Sequence, residues 1–401
     1  MAEAGSAELD VVVLGGGGHV GLPLAIAFAN RGLSVGIHDI ASKAVETIRQ
    51  GKLPFLENGA EPALREALAA GRLQATTDPA IVGKADAVVV VIGTPVDEHL
   101  NPDPHAVPKA LAEVMSHLRP GQLLVLRSTV YPGVTRRVEK LMADASLDVD
   151  VAFCPERIAE GKAMEELFSL PQIVAARTQE VTARATKLFS VLTESIVELS
   201  PEEAELAKLF TNTWRYIKFA AANQFFMMAN DHGLDYDNIR RGLAQDYPRA
   251  FDMPGAGFAA GPCLLKDTMQ LAAFTDNSFV LGHSAMLVNE GLPLYVVSHL
   301  EKSYDLANLS VGILGTAFKG ESDDTRSSLA YKLRRILQFR ANEVYATDPY
   351  VTTDPSLLPY EEVLAKSDLL IIAAPHKRYA DIETSMPVID VWNMLGKGSR
   401  I

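Results

Sequence analysis

The stretch that decides the fold is VVVLGGGGHVG, residues 11–21. Its first four residues are apolar and mostly β-branched, which predicts a buried strand. The apolar residues from Val20 to Ala29 recur at helical spacing, so a helix is predicted directly after the glycines. A strand, a glycine-rich turn and a helix in this order are typical of a dinucleotide-binding site.

The glycines Gly16, Gly18 and Gly21 have the G-x-G-x-x-G spacing of such a site. We expect the first to permit the tight turn, the second to admit the pyrophosphate and the third to let helix and strand pack closely. A second predicted strand, Ser34–His38, ends at Asp39, whose carboxylate would accept from a ribose 2′-OH and repel a 2′-phosphate. NAD is therefore favoured over NADP. A flavin, or a glycine turn that binds nothing, are the alternatives.

Further buried strands are predicted along the first half of the chain, at Ala85–Ile92, Leu123–Arg127, Val149–Phe153 and Gln172–Ala175. Strands that alternate with helices predict a parallel, doubly wound sheet. The segments Gly93-Thr94-Pro95 and Ser128-Thr129 follow two of these strands, so we expect both to line the cofactor cleft together with His19 and Val20. An ordinary strand-to-helix turn is the alternative for each loop.

The pattern changes twice in the second half. Helices are predicted at Glu202–His232, Asp235–Leu243, Leu264–Phe274 and Val280–Lys302, the last kinked at Pro293. Strands return at Val311–Leu314, Glu343–Ala346, Asp368–Ala374 and Pro387–Val391, with a helix at Ser328–Phe339. The predicted fold class is α/β: two doubly wound Rossmann-like domains, residues 1–200 and 306–401, joined by an α-helical connector, residues 201–305, with a long central helix.

The 401 residues carry a net charge of −13, which argues against a nucleic-acid partner because phosphate backbones require a basic face. The longest apolar runs have the length of strands, and no targeting segment is recognisable, so we expect a cytoplasmic protein without a membrane partner. The two cysteines, Cys154 and Cys263, have neither disulfide-framework nor zinc-ligand spacing, and we expect no metal.

Chemistry is indicated by two pairs of residues at helical spacing. Lys208 and Asn212 share one helix face, and Cys263 shares another with Asp267. A helix N-terminus and the nearby Lys266 would both favour the thiolate form of Cys263. The preceding glycines, Gly255, Gly257 and Gly261, would let a substrate approach the cysteine. A thiol that adds to an aldehyde gives a thiohemiacetal, which can lose a second hydride to become a thioester that water cleaves. The alternatives are a buried, inert cysteine, which Cys154 fits well, and a solvated helix face.

The motifs resemble the UDP-glucose/GDP-mannose dehydrogenase family of nucleotide-sugar 6-dehydrogenases over nearly the whole chain. The resemblance is carried by Gly16–Pro23, Gly93–Pro95, Ser128–Gly133, Cys154–Arg157, Glu205–Asn212, Gly261–Cys263 with Lys266-Asp267, and Phe318-Lys319 followed by Asp323–Arg326. It implies NAD-dependent four-electron oxidation of a C6 alcohol to a uronate, a nucleotide-sugar partner and a homodimer or larger homo-oligomer.

The resemblance also implies roles for individual residues. It makes Cys263 the nucleophile, and it assigns the oxyanion and the catalytic water to Lys208, Asn212 and Asp267. Glu156 matches a carboxylate of acid/base or hydration chemistry, and Thr129 a residue near the water and cofactor. The implied substrate contacts are Glu156, Arg157, Lys208, Asn212, Gly257, Phe258, Gly261, Phe318 and Lys319, together with Arg249, which members lend to a neighbouring subunit. Arg326 matches a residue that contacts sugar and diphosphate, and we also assign it to the cofactor.

The sugar, the base and the pathway stay open. The segment Arg157–Gly161 is nearer the branch that acts on UDP-N-acetylhexosamines than the UDP-glucose branch, and a dTDP-sugar is a further option. The loop from Gly257 to Cys263 is about one residue longer than is common, which bears on the backbone contacts to the sugar. The alternative function is a two-electron, NAD-dependent hydroxy-acid dehydrogenase of the related superfamily, which has no use for Cys263.

Overall fold

The computed structural model describes residues 8–97, 99–399 and 401. The chain divides into two compact units, the first ending at Phe210 and the second running from Thr211 to Ile401. The boundary lies inside one long helix, and the three-part division predicted from the sequence stays a prediction. Across the described ranges, every helix is too short or too polar to cross a membrane.

The first unit alternates strands and helices. Its strands are β1 (Leu9–Leu14), β2 (Val35–His38), β3 (Leu73–Thr76), β4 (Ala85–Val90), β5 (Leu123–Leu126), β6 (Asp150–Phe153), β7 (Gln172–Ala176) and β8 (Ile196–Leu199). Its helices are α1 (Gly21–Asn30), α2 (Ser42–Arg49), α3 (Ala60–Ala69), α4 (Ala106–Val114), α5 (Val134–Asp144), α6 (Ala163–Ser169) and α7 (Gln179–Phe189), with 3-10 turns at Pro79–Lys84 and Met115–His117.

Within residues 8–97 and 99–210, one eight-stranded sheet has the order β3-β2-β1-β4-β5-β6-β7-β8. The first six positions are those of a dinucleotide-binding sheet, whose order reverses between β1 and β4. The predicted α/β class is therefore confirmed. Two strands differ from the predicted parallel sheet, because β7 pairs antiparallel with β6 and β8 runs parallel to β7. The chain leaves β6 at its carboxyl end and re-enters the sheet at that same end, with Phe153 opposite Ala175.

The central strands are buried because helices cover both faces of the sheet. Residues 21–29 of α1 are all buried, and they pack in one core with Val11 and Val13 of β1. The alternate residues Val12 and Leu14 face the second core with Val88 and Val90. This period-two division explains why β1 is apolar at nearly every position, as expected for a strand that is covered on both sides.

The second unit begins inside a long helix. Helix α8 runs over Pro201–Asp231, and Gly233 follows it with a φ of 68°, the left-handed conformation that commonly closes a helix. The further helices are α9 (Tyr236–Ala244), α10 (Leu264–Phe274), α11 (Val280–Leu300), α12 (Leu329–Leu337) and α13 (Tyr360–Lys366), with 3-10 turns at Leu306–Asn308 and Lys377–Tyr379. The strands are β9 (Ser310–Leu314), β10 (Glu343–Thr347), β11 (Leu369–Ile372) and β12 (Val388–Ile389).

Over residues 211–399 and 401, four parallel strands form a sheet of order β10-β9-β11-β12. The predicted second Rossmann-like unit and the long helix are thus present. The helix α10 has the predicted bounds, and α11 contains the buried Pro293 as expected.

The two sheets share one local construction, which we call the acidic corner. In the first unit, Gly15 follows β1 with φ 78° and donates to His38 O at 2.8 Å, and Asp39 follows β2. In the second unit, Gly315 follows β9 with φ 90° and donates to Thr347 O at 2.8 Å, and Asp348 follows β10. Each carboxylate accepts backbone N–H groups of the glycine loop beside it. The resemblance is one of backbone geometry, which explains why no sequence repeat is evident.

Candidate active site

The glycine loop of the first unit is fixed by close packing. A Cβ at Gly15 would lie 2.1 Å from Val91 O, and one at Gly21 would lie 2.7 Å from Gly15 O. A Cβ at Gly16 would lie 2.9 Å from the Ile37 side chain. The tight turn assigned to Gly16 in the sequence therefore belongs to Gly15, which has the positive φ, whereas Gly16 is required for packing.

Open space adjoins the same loop. A Cβ at Gly18 or at Gly93 would meet no heavy atom within 4 Å. Gly18 precedes α1, whose N-terminal amides and dipole favour an anion. The residues between are His19, whose ring centroid lies 4.0 Å from that of Phe55, and Val20, which occupies the N-cap position of α1. A pyrophosphate fits this cradle.

Asp39 stands beside the loop at the carboxyl end of β2. Its Oδ2 accepts from Gly17 N at 2.8 Å and its Oδ1 from Ala41 N at 2.9 Å. Each carboxylate oxygen has a second lone pair, so Asp39 can still accept from a ribose hydroxyl. The next side chain, Ile40, is 85% exposed and offers an apolar surface that the sequence analysis did not single out. These residues fit a dinucleotide.

The two predicted loops meet at the sheet edge. Thr94 Oγ1 donates to Thr129 O at 2.6 Å, and Ile92 N donates to Ser128 Oγ at 2.7 Å. Pro95 continues the first loop. Because these bonds join the loops after β4 and β5, the structure brings Thr94, Ser128 and Thr129 together at the carboxyl ends of these two neighbouring strands.

Glu156 is held by a residue that the sequence analysis missed. Arg127, fully buried at the end of β5, donates to Glu156 Oε2 from Nε at 3.0 Å and from Nη2 at 2.5 Å. Its guanidinium also donates to Cys154 O and Gln172 Oε1, both at 3.0 Å, and lies 4.7 Å from the Phe189 ring centroid. The available signal was an arginine directly after a wholly apolar strand.

The segment after Glu156 is clamped by carboxylates. Glu156 Oε1 accepts from Arg157 N and Ile158 N at 2.7 and 3.0 Å. The buried Glu57 accepts from Gly161 N at 2.8 Å and Ala163 N at 2.9 Å. The guanidinium of Arg157 donates to a backbone carbonyl, and burial lowers its pKa. The segment is therefore preformed, and several of its backbone N–H groups already donate to these carboxylates.

Lys208 lies on α8 in the first unit and is 7% exposed. One helical turn earlier, the buried Glu205 accepts from Gly133 N at 2.6 Å and from Thr135 N at 2.8 Å. These amides stand at the start of α5, so Glu205 both anchors α8 and caps that helix.

In the second unit, Asn212 and Asp267 form a buried pair. Asn212 Nδ2 donates to Asp267 Oδ2 at 2.5 Å, and Lys266 Nζ lies 2.7 Å from Asp267 Oδ1. The Asp267 side chain is 0% exposed. Helical spacing did not predict this pair, which joins two separate helices; one oxygen of Asp267 accepts from the Asn212 amide and the other lies beside the Lys266 ammonium group.

Cys263 stands at the start of α10. It is exposed, occupies the N-cap position, and its carbonyl accepts from Asp267 N at 2.8 Å. Cys154 differs in every respect, because it is fully buried and burial raises the pKa of its thiol to about 12. The structure thus presents Cys263 to solvent and keeps Cys154 as an inert core residue.

The glycine-rich approach to Cys263 is rigidly seated. Asn223 accepts from Gly257 N at 2.9 Å and donates to Gly257 O at 3.0 Å. A Cβ at Gly257 would lie 2.2 Å from the Trp392 ring, and one at Gly261 would lie 2.6 Å from the Phe318 ring. Phe258 is 2% exposed and packs edge-to-face on Trp392. A substrate contact at Phe258 would therefore use its backbone.

The remaining predicted residues are more exposed. Lys319 Nζ lies 5.6 Å from the Phe318 ring centroid. Arg326 is more than half exposed, and its Nη2 lies 2.6 Å from Asp324 Oδ2 of the same motif. Arg249 is exposed, and its guanidinium lies 4.6 Å from the Tyr247 ring. In the ranges that the structure covers, no three His, Cys, Asp or Glu side chains gather to hold a metal ion.

The doubly wound sheet, its glycine loop and Asp39 are typical of a dinucleotide-binding protein. The sequence matches the UDP-glucose/GDP-mannose dehydrogenase family in three parts: the NAD binding domain over residues 10–193, the central domain over 202–290 and the UDP binding domain over 312–397. The chain belongs to this family and is an NAD-dependent nucleotide-sugar dehydrogenase.

Similar proteins are known in sequence and structure. A UDP-N-acetyl-D-mannosamine dehydrogenase of Pyrococcus horikoshii is 30% identical, over 98% of this chain and 93% of the relative. One of Yersinia pestis is 29% identical, over 94% and 96%. The solved structure of a UDP-glucose dehydrogenase from Pyrobaculum islandicum has a TM-score of 0.89 at 28% identity, over 97% of this chain and 95% of that one.

Proposed function

We propose that this protein oxidises the C6 alcohol of a UDP-sugar to the uronate in two steps that share Cys263. The observation that carries the proposal is the exposed Cys263 at the start of α10, one turn before the buried Asp267. A two-electron dehydrogenase has no use for an exposed thiol in this position, whereas oxidation beyond the aldehyde can use one to form a thiohemiacetal that donates the second hydride.

The first step removes a proton from the alcohol oxygen and a hydride from C6, which gives an aldehyde. The Cys263 sulfur then adds to the aldehyde carbon, and the resulting thiohemiacetal loses its proton and a second hydride to become a thioester. Water cleaves the thioester, which gives the uronate and restores the thiol. NAD, when bound, supplies the two-electron acceptor for each hydride.

The side chains that the family resemblance assigns to the reaction have separate tasks in this proposal. Lys208 and Asn212 stabilise negative charge on the substrate oxygen, because a cation and an amide N–H both stabilise an oxyanion. Asp267 orients Asn212 and receives a proton from water during thioester cleavage. Glu156, fixed by Arg127, and Thr129 orient water on the cofactor side.

We propose a UDP-N-acetylhexosamine as the sugar, with UDP-glucose as the second candidate. Relatives that match nearly the full chain are named UDP-N-acetyl-D-mannosamine dehydrogenases. The segment Arg157–Gly161, which resembles that branch, is preformed by Glu57 and Glu156. The favoured candidate thus agrees with both the relatives and the resemblance of this segment.

Counting reduced cofactor separates the proposed reaction from the alternative. Each candidate nucleotide sugar is incubated with NAD, and both NADH and uronate are quantified. We expect two NADH per sugar, fastest with a UDP-N-acetylhexosamine. A ratio of one would contradict oxidation to the uronate and would favour a two-electron reaction instead. Replacing NAD with NADP is the control for Asp39, and we expect little reaction because the carboxylate repels a 2′-phosphate.

We also propose that the protein is a homodimer or larger homo-oligomer. One face of α8 exposes Trp214, Phe225 and Met228 at 59, 46 and 57%, and α11 exposes Leu287 at 69%. Large apolar side chains at helical spacing are typical of an interface. Molar mass from light scattering at micromolar concentration is expected to be at least twice 43.3 kDa. A monomer under these conditions would contradict this proposal and the role of Arg249.

A further inference from the structure

The acidic corner of the second unit carries a buried network that the reaction scheme does not use. The Asp348 side chain is 0% exposed. Its Oδ2 accepts from Thr316 N at 2.6 Å and Ala317 N at 3.0 Å, and its Oδ1 accepts from Tyr350 N at 2.9 Å. A single carboxylate therefore ties the loop after β9 to the turn after β10.

His376 closes the network from the other side. It is fully buried after β11, with Nε2 3.1 Å from Asp348 Oδ2, and its Nδ1 accepts from Glu321 N at 3.0 Å. Because Nδ1 is an acceptor, Nε2 carries the proton that faces Asp348. Burial opposes the charge on Asp348, but the hydrogen bonds from His376 and from the backbone amides prevail, and the pKa of Asp348 is lowered to about 2.

The loop of residues 316–321, which Asp348 and His376 hold, has little conformational freedom. Glu321 continues the network, since its Oε1 accepts from Lys377 N at 2.8 Å and its Oε2 from the Tyr350 hydroxyl at 3.1 Å. A Cβ at Gly320 would lie 2.3 Å from Pro375 O. The backbone of residues 316–321 is thus fixed at both ends and in between.

This loop contains Phe318 and Lys319, which we assign to the substrate. The Phe318 ring lies against Gly261, and Phe318 N donates to Asp324 O at 2.9 Å. Gly261, with φ 104°, stands two residues before Cys263. A shift of the loop would therefore displace both the nucleotide-sugar contacts and the turn that presents the thiol.

We propose that Asp348 and His376 are positioning residues, whose buried pair sets the substrate loop 316–321 and, through Phe318 and Gly261, the position of Cys263. This role rests on the proposed function, because it assumes that the loop contacts the nucleotide sugar. The negative charge of Asp348, the Nε2-protonated form of His376 and the hydrogen bonds from backbone amides together hold the loop in one backbone conformation.

The test is the variant Asp348→Asn, whose amide nitrogen cannot accept. Three readouts are compared: affinity for UDP by calorimetry, KM for the active nucleotide sugar and for NAD, and the rate at which iodoacetamide alkylates Cys263, followed by peptide mass. We expect UDP affinity and sugar KM to worsen about tenfold, and the alkylation rate to change severalfold, since small misplacements of bound groups have large effects. The KM for NAD is expected to change less than about twofold.

The matched control is Asp368→Asn. Asp368 also accepts a hydrogen bond from a backbone amide, Ser310 N at 2.8 Å, but it lies at the amino ends of the strands of the same sheet. We expect this variant to behave as the unaltered protein. If Asp348→Asn binds UDP and is alkylated at unaltered rates, the positioning role is refuted.

A second variant keeps the test valid if Asp348→Asn does not fold. Tyr350→Phe removes only the hydroxyl that donates to Glu321, and we expect UDP to bind about threefold more weakly, as the loss of one hydrogen bond predicts. Unchanged UDP affinity would overturn the proposal. Failure of the unaltered protein to oxidise any nucleotide sugar would refute the proposed function alone, because UDP binding and alkylation need no turnover.

Discussion

Replacing Cys263 with serine is expected to abolish uronate formation, by about 10³-fold or more, which is the usual scale for loss of a covalent nucleophile. A serine hydroxyl stays protonated at neutral pH and gives no thioester, so oxidation stops at the aldehyde stage. The measurement is uronate by mass spectrometry in parallel with NADH by absorbance. Any residual activity should yield NADH without uronate.

The matched control is Cys154→Ala, which removes the other thiol of the chain. Because Cys154 is buried and its pKa is raised to about 12, it is not a nucleophile, and this variant should still form uronate. If Cys263→Ser forms uronate at the unaltered rate, the covalent scheme is wrong, whatever the total NADH yield.

The second large effect is on stability. Arg127→Met is expected to lower the free energy of unfolding by about 3–5 kcal/mol, because it leaves the buried Glu156 carboxylate without its cation. The contact of the guanidinium with the Phe189 ring is lost as well. Thermal unfolding followed by circular dichroism measures the change.

Arg177→Met is the control for that variant, since it removes the same charge from the surface. Arg177 pairs with Glu139 and Glu202, but its side chain is 39% exposed, and such pairs contribute about 0–1 kcal/mol. Equal losses in both variants would contradict the argument from burial. The double variant Arg127→Met/Glu156→Leu should recover part of the loss, because no buried charge is left unpaired.

Local patterns in the sequence predicted much of this structure. The apolar run of β1, the glycine spacing and Asp39 predict the cofactor corner, because each signal lies within about thirty residues of the others. The helical spacing of Cys263 and Asp267 agrees with their places at the N-cap and in the first turn of α10. The strands β3 and β8 were not predicted, since each is four residues long and only partly apolar.

The missed residues share one physical cause. Arg127 meets Glu156, Glu57 meets Gly161, and Asp348 meets His376 only because the fold brings distant segments together. The sequence spacing of such residues does not predict a contact. A single charged residue at the end of a strand can equally well be exposed to solvent. The misassigned turn glycine has a different cause: four consecutive glycines do not reveal which of them takes the positive φ.

The acidic corner occurs twice, but its two copies are not equally available. Asp39 accepts from backbone amides and can accept a further hydrogen bond from a hydroxyl group of a bound ligand. Asp348, by contrast, is covered by the imidazole of His376. Within the ranges that the structure describes, the second copy is thus plugged by the protein itself. The proposed reaction, which consumes two NAD, would then use the first corner twice. The aldehyde intermediate would then stay bound while NADH is replaced by a second NAD. A covalent bond to Cys263 would prevent the release of this reactive aldehyde.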